Sequence, residues 1–156
     1  MPSLKTLLQL PCGWQSSRQV VSSDGIPLHL RATRKTALCP ECLKRSKSVH
    51  SCRRRRIQHR PCSGQTMWLV FAVRHWYCRN PSCSRKIFAE SLAPFASSRQ
   101  QSSQALQNLQ CQPGLIAGGE SGRRAATAAG FRSSADTLLR RVINTGQALA
   151  PIRYIP

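Results

Sequence analysis

Apolar positions along the chain follow two periods. From residue 26 they alternate: Ile26, Leu28, Leu30 and Ala32 fall on one side, His29, Arg31 and Thr33 on the other. That spacing predicts a half-buried strand, and Asp24-Gly25 just before it is a turn signal. The run Thr66 to Trp76 is β-branched, aromatic and apolar, and it predicts a strand buried on both sides for part of its length. Pro61 and Ser63-Gly64 mark a loop before it, and Ile87-Phe88-Ala89 predicts a short return strand. Beyond Ser97 the chain is mostly Ser, Gln and Ala, with a thin stripe of Leu106 and Leu109 that Pro113-Gly114 breaks.

The period then becomes helical. Gly122, Ala125, Ala126 and Ala129 lie at i, i+3, i+4 and i+7, a face small enough for another helix to approach closely, and Gly130 follows as a stop. Ser133 and Asp136 have capping-box spacing, with Ser134 as an alternative cap. Ala135, Leu138, Leu139, Val142 and Ile143 form an apolar stripe opposite Thr137, Arg140, Arg141 and Asn144. A small-residue helix, a tight turn and a capped second helix with an arginine face fit a helix-turn-helix; plain helical packing would show the same pattern. The expected fold is α+β: a β segment over 1–36, a β-rich module over 37–93, a linker or weak helix over 94–114, a helix-turn-helix over 115–150, and a tail over 151–156.

Charge narrows the function. Lys plus Arg number 24 against 5 for Asp plus Glu, a net +19 at pH 7. Such a chain calls for an acidic partner, and nucleic acid is the commonest, because each neutralised phosphate releases counterions. An anionic membrane surface and a generally basic surface are the rivals. The segment from Met1 to Pro11 has no continuous apolar stretch, and the longest apolar run, Met67 to Val73, is far short of a membrane span. A cytoplasmic setting follows as the expectation, and there eight cysteines point to metal before disulfides.

Two cysteine pairs carry that chemistry. Cys39-Pro40-Glu41-Cys42 is a tight knuckle, and Cys78 and Cys83 flank a second turn-forming stretch, Arg79-Asn80-Pro81-Ser82. Two turns offering two thiolates each supply the tetrahedron that Zn²⁺ prefers, with room between for a hairpin, as in a zinc ribbon. Four protein ligands leave no open position, so the expected role is structural. His50, Cys52, His59 and Cys62 lack a matching pair, Cys12 and Cys111 are isolated, and His29 and His75 fit strand faces. Candidate phosphate contacts are the run Arg53, Arg54, Arg55 and Arg56, together with Arg123 and Arg124. Ser134, Thr137, Arg140 and Arg141 of the second helix are the candidates for reading DNA in the major groove.

These motifs resemble one family. Cys39 to Cys42, Ser48 to Ser51, Pro61, Val73 to Cys78 and Cys83 to Glu90 look like the zinc-finger segment of bacterial transposases of the insertion-sequence L-three family. Gly118 to Gly122 and Ser134 to Arg140 look like its helix-turn-helix segment. The chain departs from the family at His59-Arg60-Pro61, at Cys62 and at Pro113-Gly114. The resemblance implies modules that recognise terminal inverted repeats, followed by a ribonuclease-H-like domain that cuts through an acidic triad. The tail from Pro151 to Pro156 resembles the stretch before that domain's first acidic pair. The expectation is therefore a DNA-binding fragment without a cutting centre, nucleoid-associated, with a homodimer left open. The residues agree: strand transfer needs clustered carboxylates, and Asp24, Glu41, Glu90, Glu120 and Asp136 are the whole set. A structural RNA-binding zinc ribbon and a remnant without function are the alternatives.

Overall fold

The computed structural model describes residues 6, 8, 10–19 and 23–144. The end of the expected helix-turn-helix segment, the 151–156 tail and most of the first nine residues lie outside them. Among these residues seven strands lie between 14 and 89: β1 (Trp14–Gln19), β2 (Ile26–Ala32), β3 (Ala37–Leu38), β4 (Arg45–Ser46), β5 (Val49–Cys62), β6 (Gln65–Tyr77) and β7 (Ile87–Ala89). Three helices follow: α1 (Gln104–Ala117), α2 (Gly119–Ala128) and α3 (Ala135–Asn144).

The spine is the long antiparallel hairpin β5–β6. Ser63 and Gly64 join its strands with φ of 51° and 72°. Two successive positive φ values make the primed turn whose twist matches a hairpin. The sheet runs β1-β2-β6-β5, with β7 also on β6, and β2 lies parallel to β6. The β segment of 1–36 is thus sewn into the same sheet as the hairpin.

Alternation sorts the sheet into two faces. Leu28 and Leu30 of β2, Ile57 of β5, and Met67, Leu69, Phe71 and Val73 of β6 form one buried core with Trp14, Leu92, Phe95 and Ala96. Trp14 meets Phe71 edge-on, with ring centroids 4.9 Å apart. Each fully buried aliphatic here contributes about 2 kcal/mol. Among the described residues the other face has less cover: Gln58 is buried at one end of it, but Trp68, Val70 and Ala72 are only half-buried. The run from Met67 to Val73 is therefore buried on one side, and its hydrophobicity along both faces is what made two-sided burial the expectation.

His59 ties this core to the helices. Its Nε2 lies 2.7 Å from the Leu8 carbonyl and its Nδ1 2.8 Å from Ser103 Oγ. A carbonyl only accepts, so Nε2 carries the proton and Nδ1 accepts from the hydroxyl. Ser103 in turn caps α1 by accepting from the Leu106 N–H at 3.1 Å. Burial, foremost, and the nearby Arg60 hold the imidazole pKa below its usual 6.5, against the opposing pull of the Leu8 carbonyl. The unfolded chain therefore takes up a proton that the fold resists. Stability is expected to fall as pH drops below about 6.5, at no more than about 1.4 kcal/mol per pH unit, and to be unaffected by this group above that. Urea titrations of zinc-loaded protein between pH 7 and 5 should show His59→Gln less stable at pH 7 yet flatter with pH; parallel slopes would refute this role.

The helices pack through small residues. α1 continues through Pro113 and Gly114 to Ala117, so that pair does not end it. A Cβ on Gly114 would lie 2.9 Å from Val142 and 3.1 Å from the Leu138 carbonyl, and one on Gly122 would lie 2.8 Å from the Pro113 carbonyl. The glycines serve close helix approach. Leu106, Ala126, Phe131 and Leu138 form the core between the helices. Of the expected small face of α2, Gly122 and Ala126 are buried, whereas Ala125 and Ala129 are exposed. Likewise Leu138 is buried in α3, but Leu139 and Ile143 are 43% and 76% exposed, because only one edge of the stripe meets α1 and α2.

The turn between α2 and α3 is built as foreseen at Gly130 and differently at its serines. Gly130 has φ 85°, its N–H donates to Thr127, and the Phe131 N–H donates to Ala126. That is a Schellman ending. The cap of α3 is Ser134, whose Oγ accepts from the Thr137 N–H at 3.2 Å. Asp136 pairs with Arg140 instead of capping with Ser133.

Candidate metal centre and nucleic-acid interface

The four thiols of the two knuckles converge. Cys39 sits between β3 and a turn that Leu43 completes at φ 56°, with the Leu43 N–H donating to the Cys39 carbonyl. Cys78 follows β6, its N–H donating to the Lys86 carbonyl at 2.8 Å. The sulfurs of Cys39, Cys42, Cys78 and Cys83 all lie within 4.8 Å of one another. Cys39 and Cys83 are 3.9 Å apart, and Cys42 and Cys78 are 3.6 Å apart. A sulfur–sulfur bond is about 2.05 Å, so these are not disulfides. Tetrahedral zinc with bonds of about 2.3 Å sets its sulfurs about 3.8 Å apart, which is the spacing found. The residues fit a structural Zn²⁺, and when bound it would cross-link both knuckles.

The surrounding shell suits that role, while the thiols differ in how readily they ionise. The backbone N–H of Lys44, helped by Asn80, draws the Cys42 thiol down to about 6, while burial pushes Cys83 up to about 12. Glu41 bridges the knuckles, accepting from Ser84 Oγ at 2.7 Å and from Arg85 Nε at 2.8 Å. Lys44 Nζ donates to Asn80 at 3.1 Å across the same gap. Trp76 and Phe88 pack around Cys39, Cys78 and Cys83.

The comparisons with known proteins bear on this segment. Residues 35–83 match the family model for the zinc-finger of transposase IS204/IS1001/IS1096/IS1165. No curated protein and no solved structure matches the chain. The transposase-type zinc finger takes in both knuckles and the whole β5–β6 hairpin, so most of the sheet's spine belongs to it. The helices lie beyond the match.

The arginine candidates divide by surroundings. Arg53, Arg54 and Arg56 are exposed. Arg55 is not available in the same way: its Nη2 donates to the carbonyls of Ser97 and Gln100, and it fastens that loop. Arg123 and Arg124 share Glu120, at 2.6 and 3.6 Å, on the exposed side of α2. Arg140 pairs with Asp136 on exposed α3. Arg141 turns inward, with Nε 3.4 Å from Gln110 and Nη2 3.3 Å from Ser102. Ser134 and Thr137 share a hydrogen bond of 2.8 Å at the start of α3.

Each of the five carboxylates lies against an arginine: Glu90 on Arg74 at 2.5 Å, Glu41 on Arg85 at 2.8 Å, Asp24 on Arg132 at 3.5 Å, and Glu120 and Asp136 as above. Among the described residues, no helix is long and apolar enough to cross a membrane. Sequence reasoning did not single out Arg18, Arg31 or Trp68. The alternation of β2 was the available signal for Arg31, but its pairing with β6 was not legible.

Proposed function

We propose that this chain is the DNA-binding part of a transposase, holding transposon-end duplex DNA in the cytoplasm without cutting it. The observation that carries the reading is the four-sulfur cage inside a segment that matches a transposase zinc finger, in a chain of net charge +19. The zinc finger stiffens the sheet. The exposed start of α3, with Ser134, Thr137 and Arg140, is the surface offered to base edges, and Arg123 and Arg124 are offered to phosphates. Their ion pairs with Glu120 are on the surface and screened by solvent, so a phosphate can replace the carboxylate. That each carboxylate is held by an arginine, and not beside another carboxylate, supports a role without strand cleavage.

Fluorescence anisotropy with duplex carrying the terminal repeats tests this. The affinity should fall steeply with salt, with a log–log slope of roughly −0.9 per phosphate contacted. Arg123→Gln, Arg124→Gln and Arg140→Gln should each flatten the slope by at most about 0.9. A structured RNA that displaces the duplex at equal concentration would argue for the RNA-binding alternative. An affinity independent of salt would refute both.

A further inference from the structure

The uncovered face of the sheet is a cationic trough, and we propose that it binds one strand of unpaired nucleic acid. Strand register defines it. Across the sheet, Arg31, Ala72 and Arg54 form one row, and His29, Val70 and Arg56 the next. In these two rows the floor is Val70 and Ala72 of β6, with short side chains, and the walls are β2 and β5 with long cationic ones. Arg18 extends the β2 side, since it pairs with His29 across β1. The four-arginine run is thereby split: Arg54 and Arg56 line the trough, while Arg53 and Arg55 project to the opposite face with Ile57.

Among the described residues, no carboxylate neutralises these walls. The Arg74–Glu90 pair closes the end toward the zinc finger, and Asp24, near the other end, is turned to Arg132. Arg31 faces the neutral amide of Gln15. The Trp68 ring lies in the next row, with the Arg56 guanidinium 3.9 Å from its centroid. It is half-buried, whereas Trp14 and Trp76 are 4% and 1% exposed.

Width selects the ligand. Strands sit about 4.8 Å apart, so the walls are about 10 Å apart, room for one phosphodiester chain between them. A basic groove following a backbone, with an aromatic ring on which a base stacks, is how unpaired strands are held without sequence preference. Arg56 over Trp68 marks where a base could enter a sandwich. The trough adjoins the start of α3, since Gln58, which pairs with Trp68, lines one cavity with Ser134 and Thr137, but its residues are not those offered to the duplex, so it goes beyond the reading above.

Titration of zinc-loaded protein with short oligothymidylate tests the inference. Because Trp68 is the one half-exposed indole of the three, its fluorescence should be quenched. Trp68→Ala should bind the oligonucleotide roughly tenfold more weakly, and Arg54→Gln with Arg56→Gln should flatten the salt slope by about 1.4. The arginine pair is on the surface, so it reports on binding even if the tryptophan variant fails to fold. Undiminished oligothymidylate binding by the arginine variant would overturn the proposal, as would equal quenching by duplex of the same length. Arg140→Gln should weaken duplex alone; unaltered protein that fails to bind the duplex while oligothymidylate still quenches Trp68 would sink the proposed function and leave the trough standing.

Discussion

Chelation of zinc is expected to unfold one end of this molecule and spare the other. The finger end has little else to hold it. β3 and β4 are two residues each, and the local core is Cys39, Trp76, Cys78, Cys83 and Phe88, three of which are the ligands themselves. Short strands of that size have no independent stability. Structural zinc in small fingers supplies about 10–16 kcal/mol near pH 7, which is more than such a core could replace. The second core, from Trp14 to Ala96, contains no ligand. A chelator should therefore release one equivalent of zinc, shift Trp76 emission to the red, and abolish amide protection across 37–46 and 78–89. Protection at Leu28, Leu30, Ile57 and Leu69 should persist. Cys39→Ser should behave alike. Unchanged exchange at 37–46 after chelation would sink the structural role of the metal.

Gly130→Ala should be among the most damaging single changes outside the finger. Gly130 has φ 85°, and a Cβ there would lie 2.3 Å from the Gly64 carbonyl oxygen and 2.5 Å from its carbon. Both atoms are backbone of the hairpin turn and cannot rotate away. Thr66 Oγ1 also donates to the Gly130 carbonyl at 3.0 Å, so the helical turn is docked there. Left-handed backbone costs alanine about 1 kcal/mol and overlap adds about 1–3 kcal/mol, so a loss of about 2–4 kcal/mol is expected in urea unfolding. Gly64→Ala provides the contrast. Its φ is 72°, but no atom lies within 4 Å of the added Cβ, so about 1 kcal/mol is expected. Equal losses in the two variants would mean that the docking contact carries no energy.

The metal ligands and the main strands were legible because their signals are local. Two close cysteine pairs need only turns, and the alternation of Leu28 and Leu30 needs only a strand. What the chain did not disclose depended on neighbours. Nothing in residues 26–32 indicates that they run parallel to 67–72, and without that pairing Arg31 cannot be placed opposite Arg54. Four consecutive arginines read as one patch until a strand sends alternate members to opposite faces. Pro113-Gly114 reads as a break, yet Gly114 lies where α3 crosses α1, a reason visible only in three dimensions. Leu139 and Ile143 have the same periodicity as Leu138, and only the placement of α1 and α2 decides which of them is covered.

The β5–β6 hairpin also fixes a distance. From Thr66, against which the helical turn is docked, to Tyr77 beside the sulfurs is eleven residue steps, or about 36 Å at about 3.3 Å each. One turn of B-form DNA spans about 34–36 Å. Two contacts held at that separation would meet the same side of a duplex, in phase, and lengthening both strands equally would move them out of phase before it changed either contact.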